Sequence, residues 1–429
     1  MHPNSPRRQT KHTLTIFMAA MFLFGSLAVT SPALAFPVIL NSSHLSPMFG
    51  SVRNQLIAIK ADEAGARRVA MQIDEVEDDA ALVLREPIEE FALRKKLAHP
   101  GKNDPFAGRL KSVHRIVLDD RDFATCSLEC KKKLNETVKN ICMNAGATIT
   151  TKITLNNTNR ELFVADCGVQ MKPLLERKIN FDANNKTIST PIYEYSYESE
   201  KNIFFKSIKA NQMQRPLLSK SELKAYLKPK YLFNMKFRDE DLISQITSIS
   251  QGAQSVSLEV AMALNILAMK INNQICCDVS FYEDALYFPV VLDLPFSGSS
   301  FAKGSGVFFG FQSDEKSQVQ TEFIPAKTPE ASDAFVFRHD KIIITLGMRN
   351  PNRRNAELVR PKIVSKKETT EMAFMPVESP TGIFYDVQSA KEGFQHFNVW
   401  MFFGREDEKE KLIDYAQYGP KFTVDGWQN

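Results

Sequence analysis

The chain has little of what most enzyme families show in sequence. Its 429 residues contain no G-x-S-x-G, no H-E-x-x-H and no C-x-x-C. The strained serine elbow, the helical zinc pair and the redox dithiol therefore have no sequence support. A catalytic triad is a spatial arrangement, so this absence does not dispose of one. Glycines 298, 304, 306 and 310 lack the P-loop order of Lys followed by Ser or Thr, and read as a flexible connection between strands. Histidine is scarce: His44, His99, His114, His339 and His396 are all that follow residue 35. A strong charge of one sign is also missing. Three of the 54 basic residues (Arg7, Arg8, Lys11) and none of the 50 acidic ones precede Phe36, so the remainder is nearly neutral and offers no global field for nucleic acid. Beyond residue 35 no apolar run is long and uncharged enough to span a bilayer.

What is present begins with a leader. Arg7, Arg8 and Lys11 form a positive start, Leu14 to Val29 is mostly apolar, and Ala33-Leu34-Ala35 is a small-x-small cleavage site. We expect residues 1–35 to be a signal peptide and the mature chain to begin at Phe36, in the periplasm or outside the cell. An uncleaved anchor is the rival, disfavoured by the short apolar core. The residues after Arg7-Arg8 do not fit a twin-arginine signal, and no Cys follows the site as a lipoprotein would need.

The longest weakly charged stretch is Ser255–Gly310. Val256, Leu258, Val260, Met262 and Leu264 alternate with smaller or polar residues, the period of a strand with one buried face. Ile275, Cys277, Val279 and Phe281 alternate after the turn signal Asn272-Asn273. Leu286–Leu294 and Val307–Phe311 continue the series. A buried helix over 258–270 is the competing reading, because Ala, Met, Leu and Glu favour helices.

Elsewhere the pattern repeats. Strands are expected at 51–59, 67–74, 113–118, 147–155, 160–167, 178–182, 188–199, 202–210, 231–237, 316–323, 342–346, 382–386 and 394–403. Cys130, Leu134, Val138 and Ile141 make one apolar stripe on a helix from about Leu128 to Met143. Further helices are expected at 86–98, at Ser219–Leu227 and at Arg405–Tyr418, the last stopped by Gly419-Pro420. Residues 239–252 are polar and give no clear period. The fold class is therefore mainly β: a large antiparallel β-sandwich, or two packed sandwich subdomains, with a few short helices over 36–429 and an internal boundary near 212–230. A transmembrane β-barrel is the alternative, opposed by the cysteines, the helices and the C-terminal Asp425-Gly426-Trp427-Gln428-Asn429.

Six cysteines in an exported chain suggest disulfides among Cys126, Cys130, Cys142, Cys167, Cys276 and Cys277, in any of 15 connectivities. In a strand Cys276 and Cys277 point to opposite faces, so at least one should pair elsewhere. Zinc at Cys126 and Cys130 is the alternative, without histidines to complete it.

Gln72-Ile73-Asp74-Glu75, the segment Val117-Leu118-Asp119-Asp120-Arg121-Asp122-Phe123, and Asp278–Asp284 with Phe288-Pro289 resemble a loosely defined group of exported bacterial proteins carrying an N-terminal Q-[IV]-D-E strand. The insertion 86–108 and the cysteine-bearing helix depart from that group. The resemblance implies an exported β-rich protein and brings no catalytic residues.

Carboxylates at strand ends are the strongest candidates for chemistry: Asp74 and Glu75; Asp119, Asp120 and Asp122; Asp278, Glu283 and Asp284. Such clusters suit Ca²⁺, which takes six to eight oxygens, or glycoside hydrolysis by a carboxylate pair. The plainer reading is that strand ends are polar because water reaches them. Arg353 and Arg354 lead a basic segment that suits phosphate or acidic glycan, or is a solvated loop. Tyr193, Tyr195 and Tyr197 with Tyr231 suit carbohydrate binding by stacking on sugar rings, or line one sheet face. These features lead to two expectations. One is an envelope or extracellular protein with a binding or structural role, its partner a cell-envelope component or polysaccharide. The other is a carbohydrate-active enzyme, hydrolase or lyase, using strand-end carboxylates.

Overall fold

A computed structural model of the chain describes residues 36–40, 44, 46–48, 51–75, 81–84, 114–156, 158–172, 174, 178–199, 202–211, 213–228, 230, 235–238, 242–264, 274–294, 297–312, 319–328, 331–349, 362–365, 379, 381–389 and 393–427. All of them belong to the compact unit Ala35–Asn429. The protein is mainly β, with five antiparallel sheets and, among the described residues, two α-helices, Leu128–Cys142 (α1) and Lys409–Tyr418 (α2).

The central stretch forms a meander, as its period of two requires. Ser255–Leu264 pairs with Leu242–Gln251 on one side and Gln274–Tyr282 on the other, and Ala285–Leu294 follows. The sheet continues through Gly393–Arg405, Ile342–Arg349, Ala334–His339 and Gln320–Ile324, with Ala81–Leu84 joined to the outer half of Gln274–Tyr282. One face of this nine-stranded sheet is covered by the four-stranded sheet 202–210, 193–199, 187–189 and 180–182. Val256, Leu258, Val260, Phe281 and Phe403 meet Tyr193, Tyr195, Phe205 and Ile208 there. The burial of these rings is the large apolar term that holds the sandwich closed.

A second, smaller sandwich packs the three-stranded sheet Pro37–Leu40, His114–Asp119 and Gln72–Glu75 on a five-stranded sheet. That sheet runs Phe422–Gly426, Thr148–Leu155, Arg160–Asp166, Leu56–Asp62 and Gly65–Val69. Its strand Leu56-Ile57-Ala58-Ile59 is apolar throughout because both its faces are buried: Leu56 and Ala58 toward the three-stranded sheet, Ile57 and Ile59 toward α1. Two disulfides, Cys126–Cys130 and Cys142–Cys167, bracket α1, whose N-cap is Ser127. The side chains of Cys276 and Cys277 lie outside the described residues.

Several expectations need correction. Ser219–Leu227 is not a helix. Lys220–Leu227 is a strand lying between Met235–Arg238 and Gly306–Gln312 in a further five-stranded sheet. The polar segment 239–252 is the strand Leu242–Gln251, which among the described residues pairs only with Ser255–Leu264, at the end of the nine-stranded path. Residues 67–74 are two strands: Gly65–Val69 returns along Leu56–Asp62, and Gln72–Glu75 joins a different sheet. The helix expected at 86–98 and the turn Asn272-Asn273 lie outside the described residues.

Candidate functional site

Two of the three acidic clusters come together. The strand His114–Asp119 runs into a single 3₁₀ turn, Asp120–Asp122, and the hairpin between Gln274–Tyr282 and Ala285–Leu294 turns at Glu283-Asp284. Arg121 joins them. Its Nη2 is 2.6 Å from Asp119 Oδ2 and 2.6 Å from Glu283 Oε2, while its Nε donates to both Asp119 oxygens at 3.1 Å. Lys178 Nζ adds a contact of 3.0 Å to Glu283 Oε2. Burial opposes the Arg121 charge. Hydrogen bonds and charge from Asp119, then Glu283, outweigh it and hold the guanidinium above its ordinary value.

Below this clamp lie two carboxylates closed off from water. Asp120 is 1% exposed. Its Oδ1 accepts from the backbone N–H of Phe36 at 2.9 Å, and its Oδ2 accepts from Tyr415 Oη at 3.1 Å and faces Lys411 Nζ at 3.1 Å. Asp284 is 0% exposed, and neither of its side-chain oxygens has a hydrogen-bond partner. Burial, then the charges of Asp120, Asp119 and Glu283, push its carboxyl well above the ordinary carboxylate range. The turn itself is held through its carbonyls. Tyr193 Oη donates to Tyr282 O and Ala285 O at 3.1 and 2.9 Å, and Phe403 N donates to Asp284 O at 2.8 Å.

Asp122 closes the 3₁₀ turn and is half-buried. Burial raises its carboxyl to about 6, Asp119 adds to the rise, and Lys60, Arg121 and Arg67 oppose it. A carboxyl that keeps its proton to pH 6 is suited to proton transfer.

The other candidates are not part of this group. Asp278 stands up its strand, opposite Glu259. The side chains of Asp74 and Glu75 lie outside the described residues, as do Arg353, Arg354 and Tyr231. Tyr193, Tyr195 and Tyr197 are buried, and Tyr193 stacks on Phe403 with ring centres 3.8 Å apart, so they form one inner sheet face rather than a sugar platform. Cys126 and Cys130 are bonded to each other, so in this form neither sulfur is a free thiolate. Among the described residues no three His, Cys, Asp or Glu side chains are grouped as a metal site.

Gln72 and Arg115 act as clamps that the sequence did not reveal. Gln72 of the Q-I-D-E strand accepts from Gln254 N and Ser255 N at 2.9 and 2.8 Å and donates to Ser255 Oγ at 2.8 Å. Arg115, 4% exposed, donates to Ser257 Oγ at 2.8 Å and Ser280 Oγ at 3.1 Å. Both bind the three-stranded sheet to the nine-stranded one, and the serines of an otherwise apolar stretch were their only signal.

No protein-family model matches this chain, and no curated protein matches it. Among solved structures, an alpha-mannosidase from Enterococcus faecalis V583 is similar with a TM-score of 0.42 and 8% identity over 92% of this chain and 44% of its own. A protein in glycosyl hydrolase family 38 from Enterococcus faecalis gives 0.44 and 8% over 92% and 46%. The chain spans less than half the length of either. No helix among the described residues is long and apolar enough to cross a membrane.

Proposed function

We propose that the protein is exported, loses residues 1–35, and works in the periplasm or outside the cell as a binding or structural protein whose partner is a cell-envelope component or polysaccharide. The observation that supports this reading is how the acidic cluster is used. Asp119 and Glu283 share one arginine, and Asp120 and Asp284 lie closed beneath them. The carboxylates best placed for catalysis hold two sheets together instead. A glycosidase pair needs its carboxyls free on either side of a substrate, roughly 5–10 Å apart.

A second reading, a carbohydrate-active enzyme, is favoured by Asp122 alone, half-buried and protonated to about pH 6 at the rim of the same cluster. The two mannosidase-like structures have TM-scores of 0.42 and 0.44 and add no weight to it.

One incubation separates the readings. Purified Phe36–Asn429 is mixed with isolated envelope material and common polysaccharides, then co-sedimentation and reducing ends are recorded. Retention without new reducing ends is expected. It should weaken on substituting Arg353→Ala with Arg354→Ala if acidic glycan is the ligand. Release of reducing ends, lost in Asp122→Asn, would overturn the binding reading in favour of the enzyme.

A further inference from the structure

Phe36 is the first residue after the small-x-small site, and it is not a loose end. Its ring is 0% exposed, stacks on Tyr415 at 4.3 Å between ring centres, and lies under Lys411 Nζ at 4.5 Å. Its carbonyl accepts from Asp120 N at 2.9 Å, and its own N–H donates to Asp120 Oδ1 at 2.9 Å. Pro37–Leu40 then pairs along His114–Asp119. The nitrogen that cleavage would free is therefore already seated on a buried carboxylate.

That nitrogen lies among acidic and basic side chains. Asp119, Asp120, Glu283 and Asp284 are gathered in one place. Arg121 and Lys178 serve Asp119 and Glu283, and Lys411 serves Asp120. Asp284 is left in the interior with both oxygens unpartnered beside the Asp120 charge. Burial keeps that carboxyl protonated, so the charged acid nearest the Phe36 nitrogen is Asp120, which it already touches. A peptide N–H brings one proton and no net charge to this place. An ammonium brings three protons and a full positive charge.

We propose that removal of the leader between Ala35 and Phe36 completes the fold: the ammonium freed at Phe36 forms a buried ion pair with Asp120, on whose Oδ1 that nitrogen already sits. The step balances simply. A leader-cleaving peptidase adds one water to the Ala35–Phe36 amide, Ala35 leaves with a carboxylate, and the Phe36 amine takes up a proton. The precursor then carries a destabilised joint between its three-stranded and nine-stranded sheets, and the cleaved protein a closed one. This inference rests on the proposed export and cleavage.

The test uses the full chain with a specific-protease site in place of Ala33-Leu34-Ala35, refolded from denaturant either uncut or cut so that Phe36 comes first. The cut form should melt higher by about 4 °C, the effect of a buried ion pair in a chain of this length. Asp120→Asn should abolish the difference. Acylation of the Phe36 amine in the cut wild-type protein should be slower than in the unfolded chain by about tenfold or more, because the amine reacts only when the joint opens. This measurement stands even if Asp120→Asn does not fold. Cut and uncut forms melting within about 1 °C of one another, or an amine that reacts as in the unfolded chain, would overturn the inference. N-terminal sequencing of the exported protein separates the two failures. A start elsewhere than Phe36 overturns the cleavage reading itself, whereas a start at Phe36 with no effect on melting overturns only the ion pair.

Discussion

The Asp122 carboxyl gives the most direct check on the electrostatics of the site. Its ordinary value of 3.8 rises to about 6, mainly through burial. A rise of roughly two units at about 1.4 kcal/mol each is worth about 3 kcal/mol. Screening by solvent at this partly exposed carboxyl reduces that to about 2 kcal/mol. The folded state holds this proton more tightly than the unfolded state does. The stability it contributes is therefore fully present below about pH 4 and is lost as the pH rises through about 6. Above that, folding must bury an ionised carboxylate. Asp122→Asn keeps the shape and removes the charge. We expect the variant to equal the wild type at pH 4 and to exceed it by about 2 kcal/mol at pH 7.5. Urea denaturation at pH 4, 6 and 7.5 measures this, since about 1 kcal/mol moves the melting point of so long a chain by only about 1 °C. Asp284, raised in the same direction, is present in both proteins and drops out of the difference. A variant less stable than the wild type at pH 7.5 would refute the reasoning, because Asp122 would then be ionised and paired with its cations in the native state.

Substituting Arg121→Met leaves Asp119, its side chain 9% exposed, without this cation and Glu283, 14% exposed, with Lys178, and should cost about 3 kcal/mol in urea denaturation. Glu283→Gln should cost less, because Arg121 keeps Asp119; equal costs would mean that the pairing with Glu283 across the two sheets carries the whole effect. Replacing Cys142 and Cys167 by Ala opens a link of sequence separation 25 and should cost about 3.5 kcal/mol by loop entropy. Replacing Cys126 and Cys130, of separation 4, should cost about 2 kcal/mol, and the order of the two losses in urea denaturation is the check.

The parts of the fold that were legible in sequence are those where one face decides the residue types. Val256, Leu258 and Val260 alternate because their faces meet Tyr195 and Phe205 in one apolar core, and Cys130, Leu134, Val138 and Ile141 recur at helical spacing because α1 packs one stripe inward. The misreadings occur where neighbours override local preference. Lys220–Leu227 contains good helix formers, yet it has a strand on each side, and its buried Glu222 pairs with Lys224 and accepts from Ser379 N. Leu242–Gln251 gave no clear period because it borders the sheet, and a border strand has less apolar surface to hide.

The candidate site was half legible for a different reason. Acidic residues at strand ends are visible one cluster at a time, but Arg121 and Glu283 are 162 residues apart, and pairing across that distance leaves no periodic trace. The one local sign was the arginine inside Asp119-Asp120-Arg121-Asp122. A solvated acidic turn needs no cation at its centre, whereas carboxylates drawn into an interior do. The same consideration orders the functional readings. Carboxylates kept for catalysis would be expected to leave their cation free for substrate, and here Arg121 is spent on Asp119 and Glu283, while Lys411 is spent on Asp120. Asp284 is the exception, a buried acid with no partner on its side-chain oxygens, which burial keeps in the neutral form. Asp120, the buried carboxylate that holds the Phe36 nitrogen, therefore points to the maturation of the chain rather than to a substrate.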